Sequence, residues 1–162
     1  MIRRAEPSDE QALEALDRAT WNSLSSPAPP PGPEWRFFDE KTRPADVLVE
    51  VADDGIAGYV RLGRAHEIGA SDHVCTINGL TVAMHHRRHG VGRRLLDAAV
   101  EEARARRARR LTLRVLGPND AARRLYEDAG FVVEGVQRGE FLLDGRYVDD
   151  VLMALELTAA VS

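Results

Sequence analysis

The sequence predicts an α/β (α+β) domain built on one central sheet that is mixed but mostly antiparallel. Three observations lead there. First, Val74, Thr76, Asn78, Leu80 and Val82 alternate with Cys75, Ile77, Gly79 and Thr81, then a short loop carries glycines 90 and 92, and a long amphipathic pattern follows; this reads as strand, loop, helix. Second, Asp53-Asp54-Gly55 stands between two strand-like runs, and Asp144-Gly145 stands between two more, both strong hairpin signals. Third, Leu111–Leu116 is another strand-like run behind the helix, parallel to the strand at 73–83 if the crossover is right-handed.

Taken in order, Ile2 to Ala5 predicts a short first strand, and Ser8 or Asp9 an N-cap for a helix with Ala12, Leu13, Leu16 and Ala19 on one face, ending near Trp21. Residues 25–34 contain five prolines and a glycine, which exclude helix and central strand and favour extended chain. Trp21, Trp35, Phe37 and Phe38 flank this stretch as anchors to the core. Val47–Val51 and Ile56–Leu62 form the first hairpin, 65–72 a polar loop, and 73–83 the next strand. The helix behind the glycine loop turns Val91, Leu95, Leu96, Ala99, Val100 and Ala103 inward and ends by about Arg109. Gly117-Pro118 breaks the strand at 111–116, Asn119 or Asp120 caps a further helix, and Gly130 stands where a C′ residue belongs. Strands at 131–141 and 147–157 close the sheet.

Composition sets the bounds. A chain of 162 residues predicts one domain, 1–162, with no second core. Apolar residues at 44% and charged residues at 30% are ordinary for a globular protein, and no window reaches the ~20 apolar residues of a membrane span. The first residues run straight into acidic ones without an apolar targeting segment, so the expectation is a cytoplasmic protein with no membrane partner. Cys75 has no partner for a disulfide and lies in an apolar strand, as a buried inert thiol does. Cysteine and histidine show no zinc-like spacing, and no metal is expected. Of the 22 basic residues all but Lys41 are arginine, most of them between 87 and 124. With a net charge of −4, Arg104, Arg106, Arg107, Arg109 and Arg110 read as the solvated face and last turn of a helix rather than as a nucleic-acid patch. A homodimer is compatible with all of this.

The loop at 87–94 has the makings of a phosphate site. Backbone N–H groups converge where a helix starts, glycines 90 and 92 permit close approach or positive φ, and Arg87, Arg88, Arg93 and Arg94 add charge. A plain strand-to-helix turn with a basic face has the same composition. A P-loop is excluded because Gly92 is followed by two arginines and no hydroxyl, and a dinucleotide fingerprint because position 95 is leucine.

Arg87-x-x-Gly90-Val91-Gly92 after a strand, together with Asn119-x-x-Ala122-x-x-Leu125-Tyr126-x-x-x-Gly130-Phe131, resembles the GNAT superfamily of acyl-CoA-dependent N-acetyltransferases over roughly residues 45–157. The resemblance implies a GNAT fold of six to seven strands with a splayed parallel pair and about four helices. It implies acetyl-CoA as co-substrate, with Arg87, Arg88, His89, Gly90, Val91, Gly92 and Arg93 at the pyrophosphate, Leu80, Thr81 and Val82 offering backbone N–H groups to the thioester, and Asn119 also at the cofactor. It implies Tyr126 as the catalytic acid that protonates the leaving thiolate, whose simpler alternative is a core aromatic beside Ala122, Leu125 and Ala129; for Asn119 the simpler alternative is an N-cap. The acceptor implied is a primary amine of a small molecule or protein, with Trp21, Trp35, Phe37 and Phe38 walling its pocket. Arg114 stands where the branch that acetylates ribosomal-protein N-termini has glutamate, Met84 replaces a common proline, and His89 a common small residue or lysine. His73, Glu67, Asp72, Asp149 and Asp150 are the candidate bases. A non-catalytic acyl-CoA sensor and a transferase of longer acyl groups are the alternatives.

Overall fold

The structure, a computed structural model, describes residues 1–157. Seven strands form one sheet in the order β1-β2-β3-β4-β5-β7-β6, with β1 Ile2–Arg4, β2 Val47–Ala52, β3 Gly55–Arg64, β4 Val74–Val82, β5 Arg110–Leu116, β6 Val132–Leu143 and β7 Arg146–Glu156. The β4–β5 pair is parallel and the other pairs are antiparallel. The helices are α1 Glu10–Thr20, α2 Val91–Ala105 and α3 Asp120–Asp128. Among the described residues there are three α-helices and four short 3₁₀ turns, against the about four helices expected, and the proline-rich stretch at 25–34 forms neither helix nor strand, as its composition predicts.

Two hydrophobic clusters lie on the two faces of the sheet. Leu95, Leu96, Ala99 and Ala103 of α2 pack on Val60, Leu62, Ile77, Leu111, Leu113, Val151 and Met153, with Tyr126 and Phe131 in the same cluster. On the opposite face Leu13 and Leu16 of α1 pack with Val47, Val49, Tyr59 and Phe37. Phe37 is 1% exposed and makes edge-to-face contacts with Trp35 at 6.0 Å, Phe38 at 5.2 Å and Tyr59 at 4.9 Å. These aromatics anchor the long loop to the core.

Local chemistry explains the element ends. Asp9 accepts from the Glu6 N–H at 2.7 Å and pairs with Arg3 at 2.8 Å, so it closes a 3₁₀ turn at Pro7–Asp9 rather than capping α1 by its side chain. α2 stops at Ala105, four residues before the expected end. Arg107 adopts φ 62 there, while the Ala108 N–H donates to Ala103 and the Arg107 N–H to Arg104. This is a Schellman closure with arginine in the usual glycine position, so the glycine signal is missing. Asp144 and Gly145 both have positive φ, 50 and 75, as the tight β6–β7 hairpin requires. Cys75 is buried with its thiol pushed up by burial, as an inert cysteine should be.

Candidate active site at the parting of β4 and β5

β4 and β5 pair at only four positions, from Val74 with Arg110 to Ile77 with Leu113. Beyond them β4 continues beside β3 alone, and Arg114, Val115 and Leu116 continue beside β7. The divergence begins at a bulge: Arg61 faces Gly79 and Leu62 faces Ile77, so Asn78 has no counterpart on β3. A bulge bends its strand. Every second N–H of 78–82 therefore points into a widening gap with no strand partner.

The chain then enters the loop that leads to α2. Met84–His86 makes a 3₁₀ turn, Arg88 has φ 63, and Gly90, with φ 79, precedes α2 in the left-handed region. The first intrahelical bond runs from the Arg94 N–H to the Gly90 carbonyl, so the N–H groups of Val91, Gly92 and Arg93 lie ahead of the ladder at the positive end of the helix. A Cβ on Gly92 would lie 3.3 Å from Leu125 Cδ2, 3.7 Å from Val82 Cγ2 and 3.9 Å from Leu80 Cδ2. That close approach joins the residues singled out at 80–82, 87–93 and 119–126 into one region. Two guanidinium groups hold the loop: Arg87 Nε donates to the Val82 carbonyl at 3.2 Å, and Arg94 Nη1 to that of His89 at 2.9 Å. Arg94 also pairs with buried Glu50 at 2.6 Å.

The side chains of Arg88 and His89 are exposed. Arg93 donates to Asp97 at 3.0 Å and to the Asp128 carbonyl at 3.2 Å, which ties α2 to the last turn of α3. Asn119 Oδ1 accepts from the Ala122 N–H at 3.3 Å, so the capping role exists in this state. Tyr126 is 7% exposed in the α2-side core, 5.8 Å from Phe131 between ring centres. Burial pushes its phenol up to about 12, so it holds its proton at pH 7.

The candidate bases separate clearly. Glu67, Asp72 and His73 precede β4 and are exposed, at the end where β4 and β5 are still paired; Asp72 is engaged by Arg64. Asp149 accepts from the Gly139 N–H at 2.9 Å. Asp150 lies opposite Leu116, the last residue of β5, at the open end. It is 3% exposed, and burial raises its carboxyl above the usual range against the opposing pull of Arg114. Its Oδ2 lies 3.2 Å from Arg114 Nη1, yet out of line for a hydrogen bond. Because Val151 and Met153 point into the α2-side core, strand alternation sends Asp150 to the α1 face. Tyr126 and Asp150 therefore lie on opposite faces of the sheet.

One buried polar pair joins α1 to β3. Tyr59 donates a 2.7 Å hydrogen bond to Asp17 of α1, and burial raises both groups. No local pattern signals a contact across 42 positions.

The groups present suit a pyrophosphate-bearing ligand: unbonded N–H groups at a helix start, a glycine approach at 92, and exposed arginines beside them. A concavity of about 270 Å³ at the open end is lined by Gly117, Pro118, Arg123, Tyr147 and Asp149, and Arg123 Nε is buried without a hydrogen-bond partner.

Comparison with known proteins agrees with this architecture. The model of the acetyltransferase (GNAT) family matches residues 11–131. N-alpha-acetyltransferase 40 of Saccharomyces cerevisiae is 40% identical over 81 residues, a match covering 46% of this chain and 28% of that protein. Among solved structures, smu.2055 of Streptococcus mutans superposes with TM-score 0.86 at 26% identity over 96% of this chain and 98% of its own. The yncA protein of Salmonella typhimurium, solved with acetyl-CoA as its cofactor, has TM-score 0.79 at 21% identity, covering 100% of this chain and 96% of its own, and shares the fold. The extent of the family match and the arrangement of strand, loop and helix that underlies it lead to one conclusion: this chain belongs to the acetyltransferase (GNAT) family of enzymes.

Proposed function

We propose that this protein transfers the acetyl group of acetyl-CoA to a primary amine of a small molecule or protein, the amine attacking directly while both substrates are bound. The observation that carries this reading is the gap between β4 and β5, with a buried phenol on one face and a buried carboxyl on the other. When bound, acetyl-CoA supplies an electrophilic thioester carbonyl and a thiolate leaving group. The loop at 87–92 holds the pyrophosphate through backbone N–H groups, with Arg87 and Arg88 adding charge. The open-side N–H groups within Leu80–Val82 stabilise charge on the carbonyl oxygen. Asp150 takes the proton that the attacking nitrogen loses as its bond to carbon forms, and Tyr126 gives a proton to sulfur as the carbon–sulfur bond breaks. The phenol's raised proton affinity does not block that last step, since burial raises the proton affinity of a neighbouring thiolate by the same desolvation.

The experiment is a panel of amines mixed with acetyl-CoA and read by free thiol, beside melting curves with coenzyme A, NAD and ATP. Amine-dependent thiol release is expected, and coenzyme A at a hundred times its dissociation constant should stabilise the fold by about 2.7 kcal/mol. Binding without release on any amine would leave an acyl-CoA sensor. Equal stabilisation by NAD would overturn the loop assignment.

A further inference from the structure

We propose that Asp54, His85 and His86 form a binding site for a divalent transition-metal ion of the Zn²⁺, Co²⁺ or Ni²⁺ class, which fastens the β2–β3 turn to the segment leading into the 87–92 loop. Each of the three side chains offers one ligand atom, and these atoms all lie within 4.8 Å of one another. His85 Nε2 is 2.8 Å from Asp54 Oδ2, and His86 Nε2 is 2.9 Å from Asp54 Oδ1. The rings stand side by side with centres 4.3 Å apart, both turned toward one carboxylate.

Hydrogen bonding alone explains this convergence poorly. Such contacts at an exposed surface contribute little, and His85 and Asp54 are 68% and 54% exposed. Two imidazoles this close repel each other when both are protonated, whereas a divalent ion replaces both protons and draws the two nitrogens together. In a tetrahedral site with bonds of about 2.0–2.1 Å, donor atoms stand about 3.3 Å apart. Going from a spacing of at most 4.8 Å to that one changes any donor–donor distance by about 1.5 Å or less, within the reach of exposed side-chain rotation. Both carboxylate oxygens of Asp54 face imidazole nitrogens, Oδ2 toward His85 and Oδ1 toward His86, so the carboxylate already presents its donor atoms to the space between the rings.

Two imidazoles and one carboxylate are the donor set that borderline ions favour, while Mg²⁺ and Ca²⁺ favour oxygen. Three protein ligands leave a fourth position for water. Coordination through Nε2 takes the tautomer that carries its ring proton on Nδ1, which leaves the Nε2 lone pair for the metal. No sequence spacing announces the site, since Asp54 lies 31 positions from His85. The turn between β2 and β3 meets the 3₁₀ segment Met84–His86 only in the folded chain.

The test uses the untagged full chain, stripped with EDTA and dialysed, and titrated with ZnCl₂ in a calorimeter, with CoCl₂ followed by visible absorption. One ion per chain is expected, with a Co²⁺ spectrum typical of low coordination number. His85→Ala, His86→Ala and Asp54→Ala should each weaken binding by at least about tenfold, the lower bound for losing even a supporting group of a metal site. His66→Ala should leave binding unchanged, and Mg²⁺ or Ca²⁺ should not compete. Melting curves in EDTA check that each variant keeps its fold. Absence of one-to-one Zn²⁺ binding below about 1 mM, a threshold of about 4 kcal/mol of affinity, overturns the proposal. So does equal binding by the parent and a variant lacking all three side chains. Both readouts are independent of acetyl transfer.

Discussion

The hydroxyl of Tyr59 donates a 2.7 Å hydrogen bond to Asp17, joining the middle of β3 to the C-terminal half of α1. Burial is the largest influence on the Asp17 carboxyl and raises it above the usual carboxylate range, against the hydrogen bond from Tyr59 and the charge of Arg61. A carboxyl whose folded pKa exceeds its unfolded value favours folding most when protonated. That contribution is complete below about pH 4 and is lost as pH rises through the raised value. Asp17→Asn keeps an acceptor for Tyr59 and removes the titration. The melting temperature of the parent minus that of the variant should therefore fall as pH rises above about 4 and through the raised folded value. Taking the difference cancels the opposite trend of Asp9, whose carboxyl Arg3 holds low. A difference that rises with pH would mean that Asp17 ionises more easily in the fold than in the unfolded chain.

Gly90 and Gly92 should fail for different reasons. Gly90 needs φ 79, and an alanine there carries the strain of the left-handed region, about 1–2 kcal/mol. Gly92→Val places its Cβ 3.3 Å from Leu125, and its methyl groups would push α2 away from β4 and α3. Coenzyme A titration by calorimetry should show a loss of at least about tenfold for Gly92→Val, about 1.4 kcal/mol. Arg93→Ala breaks the link from α2 to the Asp128 carbonyl. It should lower stability by about 1 kcal/mol while changing affinity less than Gly92→Val. A folded Gly92→Val protein that binds normally would remove the loop from the site.

Tyr126→Phe keeps the ring in contact with Phe131 and removes only the proton donor. Turnover should fall by about 10²- to 10⁴-fold with coenzyme A affinity and melting temperature nearly unchanged. A loss within a few-fold would return Tyr126 to the core and favour the sensor reading.

Asp150→Asn tests the proton acceptor. Because burial raises this carboxyl, kcat/KM of the parent should decline on the acid side at a pH above the usual carboxylate range. The variant should lose that limb and turn over about 10²-fold or more slowly. An unchanged acid limb in the variant would assign the proton to another group.

The strands, the helices and the glycine-bearing loop between β4 and α2 are legible in the sequence because each arises from short-range periodicity and turn chemistry. The inward residues of α2, the Asn119 cap, the positive φ of Gly130 and the Asp144-Gly145 hairpin all follow from neighbours within a few positions. The end of α2 carries no such local signal, because the left-handed closure at Arg107 has no glycine. Tertiary structure decided what depends on where distant segments meet. The bulge at Asn78 sets the point at which β4 leaves β5, and alternation along β7 then puts Asp150 on the face opposite Tyr126. The Tyr59–Asp17 bond and the meeting of Asp54 with His85 and His86 arise in the same way. A one-residue change in register reverses every side chain of a strand. Register is chosen by the summed packing of the whole sheet, so no single stretch of this sequence records these meetings.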